Sequence, residues 1–154
     1  MRAGMLTAVV DGLFSSVLSV AFYGSTATRL FQGVASTLIG PDALNGGTRT
    51  AALGLLMHAG VAFTWSAVFL AIARAFPEVR RATASRQGQV AIASVYGPLI
   101  WLAMSLAVIP VLTHRSPAIT FRWWVQLIGH FPFVGLPIVS MIGRGSAPEA
   151  SARS

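Results

Sequence analysis

The chain has no cysteine and no lysine, and only four acidic residues. Without cysteine there can be no disulfide, thiolate catalysis, zinc–thiolate centre or iron–sulfur cluster. Charged residues make up 10% of the chain, whereas soluble domains carry about a quarter. Hydrophobic residues make up 55%, and the mean hydropathy is +0.70. So little charge cannot cover the surface of a soluble domain of 154 residues. Catalytic motifs are missing too: no nucleophile–base pair, phosphate loop or metalloprotease motif is present, which disfavours an enzyme. No internal repeat is visible.

What the chain does have is four apolar stretches, near residues 5–24, 50–73, 89–110 and 121–142. About 20 residues of helix cross a hydrocarbon core of roughly 30 Å, and each stretch is that long. The expected fold is therefore an all-α membrane protein, a four-helix transmembrane bundle forming one domain over residues 1–143. The remainder, RGSAPEASARS (144–154), is polar and small, and is expected to be disordered. The N-terminus does not read as a cleaved signal peptide, because Asp11 interrupts its apolar core and no small-x-small site follows.

The net charge of +7 comes from arginines scattered at the ends of apolar segments. No basic stripe or base-stacking platform accompanies them, so nucleic acid is not an expected partner. The lipid bilayer is, and the arginines suit anionic head groups. Arg2, Arg74, Arg80, Arg81, Arg86, Arg144 and Arg153 fall on one side of a four-span topology. Arg29, Arg49, Arg115 and Arg122 fall on the other. The positive-inside rule then puts both termini in the cytoplasm.

Between the first two spans, Leu30, Phe31, Val34 and Leu38 recur at helical spacing among polar residues. A short amphipathic helix is expected there, lying on or dipping into the outer surface. Gly40-Pro41-Asp42 stops it and Asn45-Gly46-Gly47 turns the chain.

Four-residue spacing also shows which helix faces turn inward. Gly4, Ala8, Gly12 and Ser16 form a small-residue ridge, beside a polar ridge of Thr7, Asp11, Ser15, Ser19 and Tyr23. Gly54, His58, Ala62 and Ser66 share a face of the second span. In the third, Ala93, Gly97 and Ser105 share one that Trp101 interrupts. Small residues let helices approach closely in lipid.

Intramembrane ionisable residues are functional candidates by default. From the rise per residue, His58 and His130 lie about 12 and 14 Å below the outer boundary, and Asp11 and Tyr96 about 10 Å above the inner one. Two polar layers are expected: a histidine pair, with Gln126 and Ser66 near it, and an aspartate–tyrosine pair. Asp11 is either a protonated carboxyl bonded to Tyr96, Ser15 or a backbone carbonyl, or a proton-handling group. The histidines either bond helix to helix or converge on a ligand. In the second case they could ligate haem b or a metal, or pass a proton, with Arg49 and Arg122 placed to meet haem carboxylates. Pro132 and Pro137 are expected to kink the fourth span and open space beside His130. Tyr23 and the tryptophans include interfacial anchors.

The run HAGVAFTWSAVFLAIARAFPEVRR, Gly88 at the start of the third span, the Met104-x5-Pro110 exit and the Trp124-x4-Gly129-His130 motif resemble the YagU-like proteins. The resemblance covers roughly the last two-thirds of the chain. It implies a small multi-span protein of the bacterial inner membrane, from a family without an established biochemical activity. It also puts His58 and Gly129-His130 on positions where that family carries the same residues. The first outer loop is shorter than in that family, and YGPLIW (96–101) departs from its pattern.

The expected function is a non-enzymatic inner-membrane protein with a polar intramembrane site formed by His58, His130, Asp11, Tyr96 and Gln126. It would act as a small-solute or proton pathway, or as an accessory subunit. The alternatives are a redox protein holding haem through His58 and His130, and a structural protein that assembles as a homo-oligomer or within a larger membrane complex.

Overall fold

The computed structural model describes residues 1–145. Four helices are long and apolar enough to cross a membrane: α1 (Arg2–Phe22), α3 (Gly47–Ala75), α5 (Arg86–Thr113) and α6 (Phe121–Arg144). Two shorter helices join them, α2 (Ala27–Ile39) and α4 (Pro77–Ala82). The fold is an all-α four-helix bundle, and the chain is a multi-pass membrane protein. The polar tail expected from residue 144 lies outside the described residues beyond Gly145, where the last helical segment ends.

Local sequence sets the helix boundaries. Thr26 and Ser85 cap α2 and α5, their hydroxyls accepting the Arg29 and Gly88 amides at 3.0 Å each. Pro77 opens α4, where a missing N–H does no harm. Three spans contain a wide π-helical turn, at Leu18–Phe22, Met104–Val108 and Phe131–Gly135. Pro132 lies inside the last of these, and Pro110 two residues beyond the second. A wider turn accommodates a ring that cannot donate to the helix ladder.

The inward and lipid-facing sides follow the spacing in the sequence. On α1 the exposed residues Leu6, Val9, Leu13, Val17 and Val20 form an outer stripe, while Gly4, Thr7, Gly12 and Ser19 are buried. On α3 the buried positions include Gly54, Ala62 and Ser66. On α5 they include Ala93, Tyr96, Gly97 and Ile100.

The four spans are unequally spaced. Helix α1 packs on α3 and on α6, and α6 packs along α5. The α5–α6 contact is backbone to backbone: a Cβ at Gly97 would collide with the His130 carbonyl, and one at Gly135 with that of Ala93. In lipid such close approach supplies the packing energy that apolar burial supplies in water. Helices α3 and α5 stand farther apart. Large side chains bridge them, with Phe69 and Tyr96 at the centre of a buried cluster completed by Ile100, Val134, Ile138 and Val139. The Tyr96 hydroxyl donates to the Trp65 carbonyl at 2.7 Å, and its ring tilts against Phe69 at 4.9 Å between centroids.

At the end of the bundle away from the N-terminus, α2 crosses this wider gap. It packs on α3 and reaches the last turn of α5. Gly54 allows the crossing, since a Cβ there would run into the Phe31 carbonyl. The loop is tied down by side-chain bonds to backbone carbonyls: Gln32 to Gly47 at 3.0 Å, Arg29 to Leu44 at 2.8 Å and Thr50 to Ala43 at 2.7 Å. The amphipathic helix expected from the sequence is present; Leu30, Phe31 and Val34 of its apolar stripe face the bundle, while Leu38 is exposed.

Candidate functional site

Beneath α2 lies a cavity of about 340 Å³, walled by residues from α1, α2, α3, α5 and α6. Asp11, His58, Gln126 and His130, expected from the sequence to be functional, all line it. Tyr96 does not; its hydroxyl is committed to Trp65.

The polar side chains reach the cavity from three helices. Asp11 is the tenth residue of the 21-residue first span, and so close to its middle. Its Oδ2 stands 3.8 Å from His58 Nε2, within ion-pair range but beyond a hydrogen bond. The His58 ring instead donates from Nε2 to the Ala8 carbonyl at 3.1 Å. A carbonyl only accepts, so Nε2 carries the proton and Nδ1 is the acceptor of the neutral ring. His130 has the opposite arrangement. Its Nδ1 donates to the Gln126 carbonyl at 2.7 Å, which leaves Nε2 as the acceptor. The Trp101 ring lies 4.9 Å from the His130 ring, and Phe31 presents an edge-on contact to His58 at 5.9 Å. Asp11 lies within electrostatic range of both imidazoles.

The expected pairing of Asp11 with Tyr96 is not formed: Asp11 joins the histidines, while Tyr96 bonds to Trp65. Both face α3, but Asp11 meets it at His58 and the Tyr96 hydroxyl meets it at Trp65, about two helical turns away. The two histidines share the cavity yet bond to separate backbone carbonyls. Ser66, expected near them, donates instead to Ala62 one turn away on its own helix.

The cavity wall is marked by unmet hydrogen-bonding capacity. Among the described residues five buried side-chain atoms lack a partner, and four belong to lining residues: Thr7 Oγ1, Asp11 Oδ1, Trp101 Nε1 and Gln126 Oε1. Each such atom costs on the order of 1–3 kcal/mol if left unmet, so their concentration around one space points to a polar occupant. The Gln126 amide nitrogen reaches only Ser15 Oγ, at 3.4 Å. Two wall contributions are not evident from the sequence pattern. Trp101 interrupts a small-residue face, yet its place four residues after Gly97 aims it inward. Phe31 and Val34 belong to a helix expected at the outer surface, and Gly54 is the sign in the sequence that α2 comes close.

The arrangement does not fit a bis-histidine haem. His130 offers Nε2 to a ligand, whereas His58 has turned Nε2 to Ala8 and Asp11 and offers only the more hindered Nδ1. The arginines expected to meet carboxylates lie elsewhere: Arg122 stacks over the Tyr23 ring at 4.1 Å, and Arg49 is exposed. Neither lines the cavity. Nor do three His, Cys, Asp or Glu side chains converge to hold a metal ion among the described residues.

Searches with family models, among characterised proteins and among solved structures found no match to this chain.

Proposed function

We propose that this protein is a non-enzymatic component of the bacterial inner membrane whose cavity takes up a small polar solute or relays a proton. One observation carries this reading: four of the residues that line a single intramembrane space each carry a buried polar atom without a partner. A packing cavity has no use for a carboxylate, an amide oxygen, a hydroxyl and an indole N–H on one wall. A solute or water chain would meet them after small rotations of these side chains. His58 and His130 are the proton carriers suited to such a site, and Asp11 lies within electrostatic range of both. Helix α2, clamped by hydrogen bonds to its own loop, serves as the cover on the outer side. Both termini and α4 face the cytoplasm in this reading, following the arginine distribution. The YagU-like resemblance agrees with such a protein and adds no chemistry to it.

Flux measurements test the proposal. Proteoliposomes loaded with a pH-sensitive dye should acidify faster than protein-free liposomes under an imposed gradient, and Asp11→Asn should slow them to the protein-free rate. Equal rates for all three preparations would remove the proton pathway.

A further inference from the structure

The donors and acceptors on the cavity wall bear on its occupant, provided that the cavity is a polar site as proposed above. Gln126 Oε1 can only accept a hydrogen bond, as can an ionised Asp11 Oδ1; both are buried and unpartnered. His130 presents an acceptor as well, since its Nδ1 proton is spent on the Gln126 carbonyl. Trp101 Nε1 is the sole obligate donor among the four unpartnered atoms, and Thr7 Oγ1 can act either way. The wall thus asks for an occupant richer in donors than in acceptors.

Charge points the same way. No arginine is among the residues that line the cavity. The cation nearest Asp11 among the lining residues would be His58, 3.8 Å from Oδ2 and already donating to Ala8. With Asp11 ionised, an anion would meet a like charge, and a neutral solute would leave the carboxylate with imidazole as its only counter-ion in a medium of low dielectric. Around the polar atoms stand the rings of Phe31, Trp65 and Trp101. Aromatic faces attract cations, most strongly where water is excluded.

We propose that the cavity binds a small organic cation, a protonated amine on an apolar body. The ammonium would pair with Asp11 and donate to Gln126 and His130, while the apolar part rests against the aromatic rings. A space of about 340 Å³ is ample, since benzene fills a cavity of roughly 150 Å³.

Three isosteric probes test the assignment on the purified full chain: benzylammonium, benzyl alcohol and benzoate. Binding is read by calorimetry and by the tryptophan fluorescence of the cavity wall. Benzylammonium should bind roughly tenfold or more tightly than benzyl alcohol, and benzoate weakest of all. Asp11→Asn should erase the preference for the cation, and Asp11→Glu should keep part of it. If Asp11→Asn does not fold by circular dichroism, the three-probe ranking on the wild-type protein decides alone. Equal binding of the alcohol and the ammonium, unaffected by Asp11→Asn, would overturn the cation assignment and leave a site for neutral solutes. A preference for benzoate, or no binding of any probe, would also overturn it. Whether the cavity is a polar site at all is answered separately, by solvent exchange at Trp101.

Discussion

His130 donates from Nδ1 to the carbonyl of Gln126 at 2.7 Å, four residues back on the same helix. His58 makes the converse choice and donates from Nε2 to Ala8 on a neighbouring helix. The two rings therefore hold opposite tautomers, each fixed by a backbone carbonyl. This is a spectroscopic statement. Nitrogen-15 spectra of histidine-labelled protein should show an Nδ1–H ring that is lost in His130→Ala and an Nε2–H ring that is lost in His58→Ala, beside the third ring of His114. The same tautomer at His58 and His130 would contradict the hydrogen bonding of the two rings.

The α5–α6 contact depends on the absence of a side chain at two positions. Gly97→Ala would set a Cβ against the His130 carbonyl. Overpacking of this kind costs about 1–3 kcal/mol. Gly60→Ala meets nothing within 4 Å and removes a helix penalty of about 1 kcal/mol, so it should be neutral or mildly stabilising. Thermal unfolding in detergent compares the two, and equal midpoints would refute the close approach.

Much of the bundle could be read from hydropathy and four-residue spacing. The spans and the inward ridges of α1, α3 and α5, with Asp11 and His58 riding on them, follow from hydropathy and periodicity alone. The partner of Asp11 does not. Helices α1 and α5 each begin three residues before their apolar stretches, so Asp11 and Tyr96 shift together by about 4.5 Å and equal depth does not make them partners. Packing against α3 separates them, since Asp11 meets it at His58 and the Tyr96 hydroxyl meets it at Trp65. The apolar stripe of α2 was also visible, but periodicity does not say what a stripe covers. That α2 roofs a cavity follows from its crossing with α3 at Gly54, a tertiary contact. Similarly, the tautomers of the histidines depend on which carbonyls happen to face them.

Orientation in the membrane is testable because the chain has no native cysteine. Ala84 and Ser116 are exposed in opposite connections, after α4 and between α5 and α6. With the protein expressed in a bacterial inner membrane, Ala84→Cys should resist an impermeant thiol reagent added to spheroplasts. Ser116→Cys should react. The reverse pattern would invert the topology.

The central claim is that the space bordered by Asp11, His58, Gln126 and His130 is a polar site and not a dry packing defect. Two tryptophans on its flank give the most direct test. Trp123 Nε1 is buried and donates to Ser105 Oγ at 3.0 Å, whereas Trp101 Nε1 is buried on the cavity wall without a partner. Solid-state NMR of the protein in lipid can follow both indole protons, with Trp101→Phe providing the assignment. The expected result is a water cross-peak and deuterium exchange at the Trp101 indole, with the Trp123 indole protected. An equally protected, water-free Trp101 would mean that the cavity is dry, and the claim of a polar intramembrane site would be wrong.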